Sequence, residues 1–440
     1  MLSHEDNEML VRVGAGTGMG EFFRLFWIPF LLSKDLIADG RPTRVRLLGE
    51  DLVAFRASDN TIGLLDHACA HRGAPLAFAR NEECGLRCVY HGWKYDIAGR
   101  VTDMPAEPER SRFKDNVRLK AYPCRERNGV VWTYMGPEKV NLPPLPNFEW
   151  NLVSPEQVHL SLRVQECNWL QALEGDIDSA HAAFLHGRID SQGRMKRMLY
   201  VRDRRPTFDV MRQEFGLSIA ARRVLEDGRI YWRVNQFVLP FYTLTPPQST
   251  FPELTGHVWV PIDDENTLVL MFSYHPDEPL YEKTRRLFEE GYKGRESGHP
   301  SHDALRENDA SCPYAGYWTR FTRENDFKLD YESQRTTWFS GIPGLWVQDA
   351  ACQSGLGPIY DRSRERLGVS DSGIVMARRV LLEAAKAYRQ HGKVPATASN
   401  PDLSMVRAVS LQLTPEESWS GPSGRQHMTA ELGKGFGYTP

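Results

Sequence analysis

Polar and apolar positions change rhythm several times along the chain. Residues 1–42 hold a short amphipathic stretch, EFFRLFWIPFLL, which reads as a helix feeding an extended segment at Pro29. From about residue 43 the apolar runs become short and β-rich, as in RVRLLGEDLVAFRA and GLRCVYHGWKYD, with turn residues between them. This predicts a small antiparallel β domain over 43–150, closing at the proline-rich NLPPLPNF. In the remainder, 151–440, Asn168, Leu170, Leu173, Ile177, Ala180 and Phe184 recur at helical spacing, so 160–186 reads as a helix. TFDVMRQEF, LSIAARRVL, RIYWRVNQFVL, GHVWVPI and TLVLMFSYH then read as strands of a larger antiparallel sheet. Residues 280–312 are charged and rich in Gly and Ser, which predicts a mobile excursion. Ile374, Leu381, Ala385 and Tyr388 mark one face of a C-terminal helix, and the last twenty-odd residues read as poorly ordered.

Composition narrows the class. The 440 residues carry a net charge of −3 and 41% hydrophobic side chains, an ordinary globular balance with no basic excess for nucleic acid. No apolar run is long enough to span a bilayer, and the acidic, polar MLSHEDNEML is neither a secretory signal nor a transit peptide. Seven thinly spread cysteines argue against a disulfide framework and for a reducing compartment, so a cytoplasmic protein is expected. VGAGTGMG at 13–20 imitates a dinucleotide loop, but Met19 stands where the third glycine belongs and no strand pattern precedes it. It reads as a flexible turn.

The strongest chemical signal is Cys69-Ala-His71, sixteen intervening residues, then Cys88-Val-Tyr-His91. Two pairs, each one thiolate and one imidazole, can hold a metal centre between two β loops. A Cys2His2 zinc site is the alternative, but zinc fingers usually pair like ligands, and here each pair is mixed. Cys84, next to Gly85 in a predicted turn, is a bystander. With His71-Arg-Gly-Ala-Pro-Leu and His91-Gly-Trp-Lys-Tyr-Asp around them, the pairs resemble the Rieske 2Fe–2S signature, in which Cys69 and Cys88 would hold one iron and His71 and His91 the other. Imidazole in place of thiolate raises the reduction potential. By itself such a domain is also compatible with a simple electron carrier.

Residues 165–186, QECNWLQALEGDIDSAHAAFLH, contain Asp178, His181 and His186 as D-x2-H-x4-H. Two histidines and a carboxylate form the facial triad of non-haem Fe(II) oxygenases, leaving positions open for O2 and substrate. The segment looks like the mononuclear-iron motif of Rieske oxygenases. That resemblance makes His181 and His186 ligands and assigns the third to Asp349 in LWVQDAACQSGLGPIYDRSRERLG, with Asp361 as the competing choice. It also implies that Asp178 does not bind iron but joins His91 of a neighbouring subunit's cluster to His181, in a trimer or stacked trimers. Asn168 and Glu174 are candidate supporting groups on the same helix.

Over nearly the whole chain the sequence is similar to the phthalate dioxygenase branch of the Rieske non-haem iron aromatic-ring oxygenase α subunits. The resemblance implies an α+β fold, in which a small all-β Rieske domain joins a larger catalytic domain with an antiparallel sheet and helices (helix-grip, START-like). It implies a 2Fe–2S cluster, mononuclear Fe(II), O2 as co-substrate and a separate NAD(P)H-dependent flavin and iron–sulfur reductase. The substrate would be aromatic, an acid such as a phthalate, benzoate or lignin-derived acid, undergoing cis-dihydroxylation or O-demethylation. Arg204, Arg205, Arg222, Arg223 and Arg233 are candidate cations for a carboxylate. Arg233, Asn235 and Phe237 alternate along one strand and so share a face, which is turned either to the pocket or to solvent. A Rieske electron carrier without oxygenase activity and a zinc-binding interaction module are the other classes considered.

Overall fold

The computed structural model describes residues 2–137, 140–190, 199–247, 253–290, 299–306 and 311–430. Thr17 caps a short helix, Gly18–Phe23, and the chain then extends as strand Trp27–Leu32, as the amphipathic stretch predicts. The glycine-rich segment is thus a capped helix start. Helix His4–Val11 anchors on the second half of the molecule, where Trp169 Nε1 donates to Leu10 O at 3.1 Å and Lys386 pairs with Asp6 at 2.6 Å.

Three small antiparallel sheets follow from the short β-rich runs. One joins Trp27–Leu32, Val130–Tyr134 and Cys124–Arg127. The second runs Thr43–Leu47, Glu50–Arg56, Ile62–Asp66 and Ala121–Tyr122. The third runs Arg80–Glu82, Gly85–Arg87, Lys94–Tyr95 and Val101–Asp103. Val53, Phe55, Leu65, Leu86, Trp93 and Tyr95 form a core of their own between the last two sheets. Cys84 is exposed in the turn before Gly85.

The larger sheet has eight antiparallel strands in the order Val158–Gln165, Thr267–Tyr274, Leu254–Pro261, Tyr242–Thr245, Ile230–Val238, Gly216–Val224, Thr207–Gln213, with Val409–Leu413 added beside Ile230–Val238. All five predicted strands are present. The helix predicted over 160–186 is not. Residues 158–165 are a strand, the helix is only Trp169–Ile177, and His181–Ala183 is a separate 3₁₀ turn. Asn168 starts this helix by accepting Leu170 N at 3.2 Å. Asp178 ends it, because its Oδ1 accepts Ala180 N at 2.7 Å in a local turn that competes with the helical ladder.

The C-terminal helix, Ser372–His391, lies over Thr207–Gln213 and Gly216–Val224 as its apolar face predicts. Within 280–312 the chain forms helix Glu282–Glu289, so this part of the predicted excursion is regular; residues 291–298 and 307–310 lie outside the described residues. Near the C-terminus Pro422–Met428 is helical, and residues 431–440 are not described.

Candidate metal centres and active site

Two loops with one hydrogen-bond plan present the four cluster candidates. In the first, Cys69 N donates to Ala74 O at 2.9 Å and Gly73 N to Cys69 O at 2.8 Å. In the second, Cys88 N donates to Trp93 O at 2.8 Å and Gly92 N to Cys88 O at 3.0 Å. Each loop turns on a left-handed glycine, Gly73 at φ 71° and Gly92 at φ 76°, a conformation that a Cβ would strain. The thiols face inward: Cys69 and Cys88 are buried, and Cys69 Sγ lies 3.1 Å from the Tyr95 hydroxyl. The imidazoles lie nearer the surface with ring centres 4.5 Å apart, and Trp93 stacks on His71 at 4.5 Å.

Burial, and then the neighbouring Cys69, push the Cys88 thiol up, so a metal must displace a proton there. His91 Nδ1 is buried without a hydrogen-bond partner among the described residues, the condition of a nitrogen awaiting a metal. The donor set fits a 2Fe–2S cluster with thiolates on the inner iron and imidazoles on the outer one.

The second centre is built where the Trp169–Ile177 helix meets the helix Leu345–Ser354. Among the described residues, His181, His186 and Asp349 are the group whose ligand atoms all lie within 4.8 Å of one another. His181 Nε2 and His186 Nε2 are 3.2 Å apart, and Asp349 Oδ1 lies 3.5 and 3.3 Å from them. Three bonds of about 2.1 Å at near-right angles around one ion require separations of roughly 3 Å, so the triangle fits facial coordination. Asp361 is not part of it; its carboxylate accepts Ser363 N at 3.0 Å and starts a 3₁₀ turn.

Both imidazoles of this triangle are held from behind. His181 Nδ1 faces Asp178 Oδ2 at 3.3 Å. His186 Nδ1 meets Gln348 Oε1 at 2.7 Å, and Gln348 Nε2 donates to Ile342 O at 2.9 Å. That second bond orients the amide, so its oxygen accepts from Nδ1–H and Nε2 is left free for metal. Gln348 was not foreseen, although it directly precedes Asp349. Asp178 and Asp349 are both held ionised: burial raises each, and it is outweighed by His181 for Asp178 and by His186 and His181 for Asp349. Within the chain no hydrogen bond joins Asp178 to His91 among the described residues.

Asn168 and Glu174 act elsewhere than expected. Asn168 Nδ2 donates to Val11 O at 3.0 Å and Asp264 O at 2.7 Å, pinning the N-terminal segment. Glu174 accepts Arg362 Nε at 3.1 Å and Arg378 Nε at 2.6 Å, tying the helix to the C-terminal helix. Both hold the scaffold and neither bonds to the three ligands. The helix residue that does reach the pocket is Asp176, which accepts from the Thr243 hydroxyl and from His257 Nδ1 at 3.0 Å.

The three ligand side chains open into a cavity of about 470 Å³, a size suited to a small organic substrate. The sheet forms its floor in cross-strand rows. Arg163 pairs across Val269 with Trp259, His257 lies opposite Met271, and Thr255 stands between Ser273 and Thr245. Arg233 and Asn235 also line the cavity, so their face is the inward one. Phe237, on the same face, belongs to the main hydrophobic core and is not a pocket residue. Arg204 and Arg205 are exposed, and Arg223 is buried but donates to Ser179 O at 2.9 Å. The pocket arginine that sequence reasoning missed is Arg163.

The chain matches two family models: the Rieske 2Fe–2S domain over residues 26–123, and the LigXa C-terminal domain like family over residues 133–420. It is 37% identical to the 3-chlorobenzoate-3,4-dioxygenase oxygenase subunit of Comamonas testosteroni, over 94% of this chain and 95% of that one. It is also 37% identical to the phthalate 4,5-dioxygenase oxygenase subunit of Pseudomonas putida, over 95% and 94%. In fold it is similar to the terminal oxygenase of carbazole 1,9a-dioxygenase from Novosphingobium sp. KA1, with a TM-score of 0.54 and 19% identity over 89% of this chain and 97% of that one. The chain belongs to the Rieske non-haem iron oxygenases. It is a terminal oxygenase component that combines a Rieske cluster, a mononuclear iron and O2. No described helix is long and apolar enough to cross a membrane.

Proposed function

We propose that this oxygenase acts on an aromatic carboxylic acid of the phthalate, benzoate or lignin-derived type, by cis-dihydroxylation or O-demethylation. Cys69, His71, Cys88 and His91 hold the cluster, and His181, His186 and Asp349 hold Fe(II). The observation that carries this reading is the His181–His186–Asp349 triangle opening on a cavity lined by buried arginine as well as apolar surface. The acids named in the two 37% identical relatives support the substrate class.

Bound iron supplies O2 activation. Dihydroxylation adds both oxygen atoms to the ring and consumes two electrons and two protons. The protein's part is to leave three coordination positions open, hold the ring beside them and deliver electrons singly. Asp178 links His181 to His91 of a neighbouring subunit in a cytoplasmic trimer, and an NAD(P)H-dependent flavin and iron–sulfur reductase feeds the cluster. A pure electron carrier would have no use for the triad or the cavity.

The test is O2 uptake and product analysis with the reconstituted reductase over a panel of aromatic acids. The expected result is one acid consumed in step with O2. In His181→Ala the cluster should remain reducible and product should vanish. Product at near wild-type rate in that variant would remove the triad from the chemistry.

A further inference from the structure

Most buried arginines among the described residues have a carboxylate partner. Arg24 pairs with Glu50, Arg362 and Arg378 with Glu174, and Arg407 with Glu149. Arg223 and Arg233 have no carboxylate partner, but each donates to a backbone carbonyl and keeps a single buried nitrogen unpartnered. Arg163 is 2% exposed; its side chain forms no hydrogen bond or ion pair with any described residue, and Nε and Nη1 are both buried and unpartnered. Its guanidinium lies 5.3 Å from the centre of the Trp346 ring and lines the cavity. An uncompensated buried cation costs several kcal/mol, so a fold keeps one where a ligand completes it.

The negative charges nearest it are committed. Asp349 faces the two histidines, and Asp176 is held by Thr243 and His257. Burial draws the guanidinium down to about 10, which still leaves it charged at neutral pH. Guanidinium donors match a carboxylate geometrically. Trp346 and Trp259 line the cavity beside it.

We infer that Arg163 is the anchor that binds the substrate's carboxylate, at the end of the cavity next to Asp349. The pocket is therefore selective for acids over their neutral analogues. Arg233 stands four strands away in the order of the sheet and serves a different part of the cavity. The inference rests on the aromatic-acid reading above, but its test needs no turnover.

Benzoate and benzamide are titrated calorimetrically into the iron-loaded holoenzyme without reductant. Wild type should bind benzoate at least about tenfold more tightly, about 1.4 kcal/mol, and Arg163→Met should abolish the difference by weakening benzoate alone. Arg163→Lys should keep part of the preference, and it decides the matter if the Met variant does not fold. No preference in wild type, or an undiminished preference in the variant, overturns the anchor. Preference without oxidation of any aromatic acid would sink the oxygenase chemistry and leave the anchor standing.

Discussion

At the scale of single residues, His186 is oriented by one amide. Gln348 can only accept from Nδ1–H while its own Nε2 is tied to Ile342 O. Gln348→Leu should therefore leave the cluster's visible spectrum intact and weaken iron retention about 10- to 100-fold, read by metal analysis after dialysis. His181 makes a second prediction. Burial lowers its affinity for a proton, but the Asp178 bond and the Asp349 and Asp178 charges outweigh this and raise it to about 9 in the metal-free protein. Below about 9 iron must displace that proton, so apparent iron affinity should climb about tenfold per pH unit from pH 6 and level off above pH 9. A pH-independent affinity would contradict this. The cluster residues were legible in the sequence because mixed Cys/His pairs with flanking glycines are rare. Gln348 was not, because an uncharged amide beside a ligand looks like any helix residue.

At the scale of elements, the helix drawn over 160–186 hid the most informative strand. Leu160, Leu162 and Val164 alternate as a strand does, but the helical spacing from Asn168 onward was extended back over them. Arg163 then had no assigned face, and so it was overlooked as a pocket residue. The opposite error came at the other end, where Asp178 accepts Ala180 N and stops the helix before the histidines. Irregular backbone from 178 to 186 is what lets His181 and His186 converge at a spacing of five. The helix itself is held by Glu174 against two arginines, both 4% exposed or less. Glu174→Leu strands Arg362 and leaves Arg378 with Glu365 alone, and should destabilise the catalytic domain by about 3–5 kcal/mol, seen as an earlier thermal transition. If instead stability is unchanged and only turnover falls, Glu174 belongs to the reaction and not to the scaffold.

At the scale of the whole molecule, family, cofactors and two-part architecture could be read from motifs spread over most of the chain, whereas assembly depends on surfaces that no motif encodes. Asp178 faces His181 and, among the described residues, is not hydrogen-bonded to its own chain's His91, so in the proposed electron path its cluster partner is a neighbour's. Asp178→Asn should keep both metal centres yet slow electron transfer between them by orders of magnitude in single turnover. Mixed oligomers of Asp178→Asn and Cys88→Ser chains should recover part of the activity, since one class of interface pairs an intact cluster with an intact bridge. No recovery in verified mixed oligomers would mean that electrons stay within one chain. The helix Leu345–Ser354 carries Trp346 beside Arg163, Gln348 behind His186 and Asp349 toward both histidines, all within four residues. One helical turn thus touches the cavity, the orienting amide and the carboxylate of the metal triangle at once, so whatever presses on Trp346 presses on the backbone that carries Asp349.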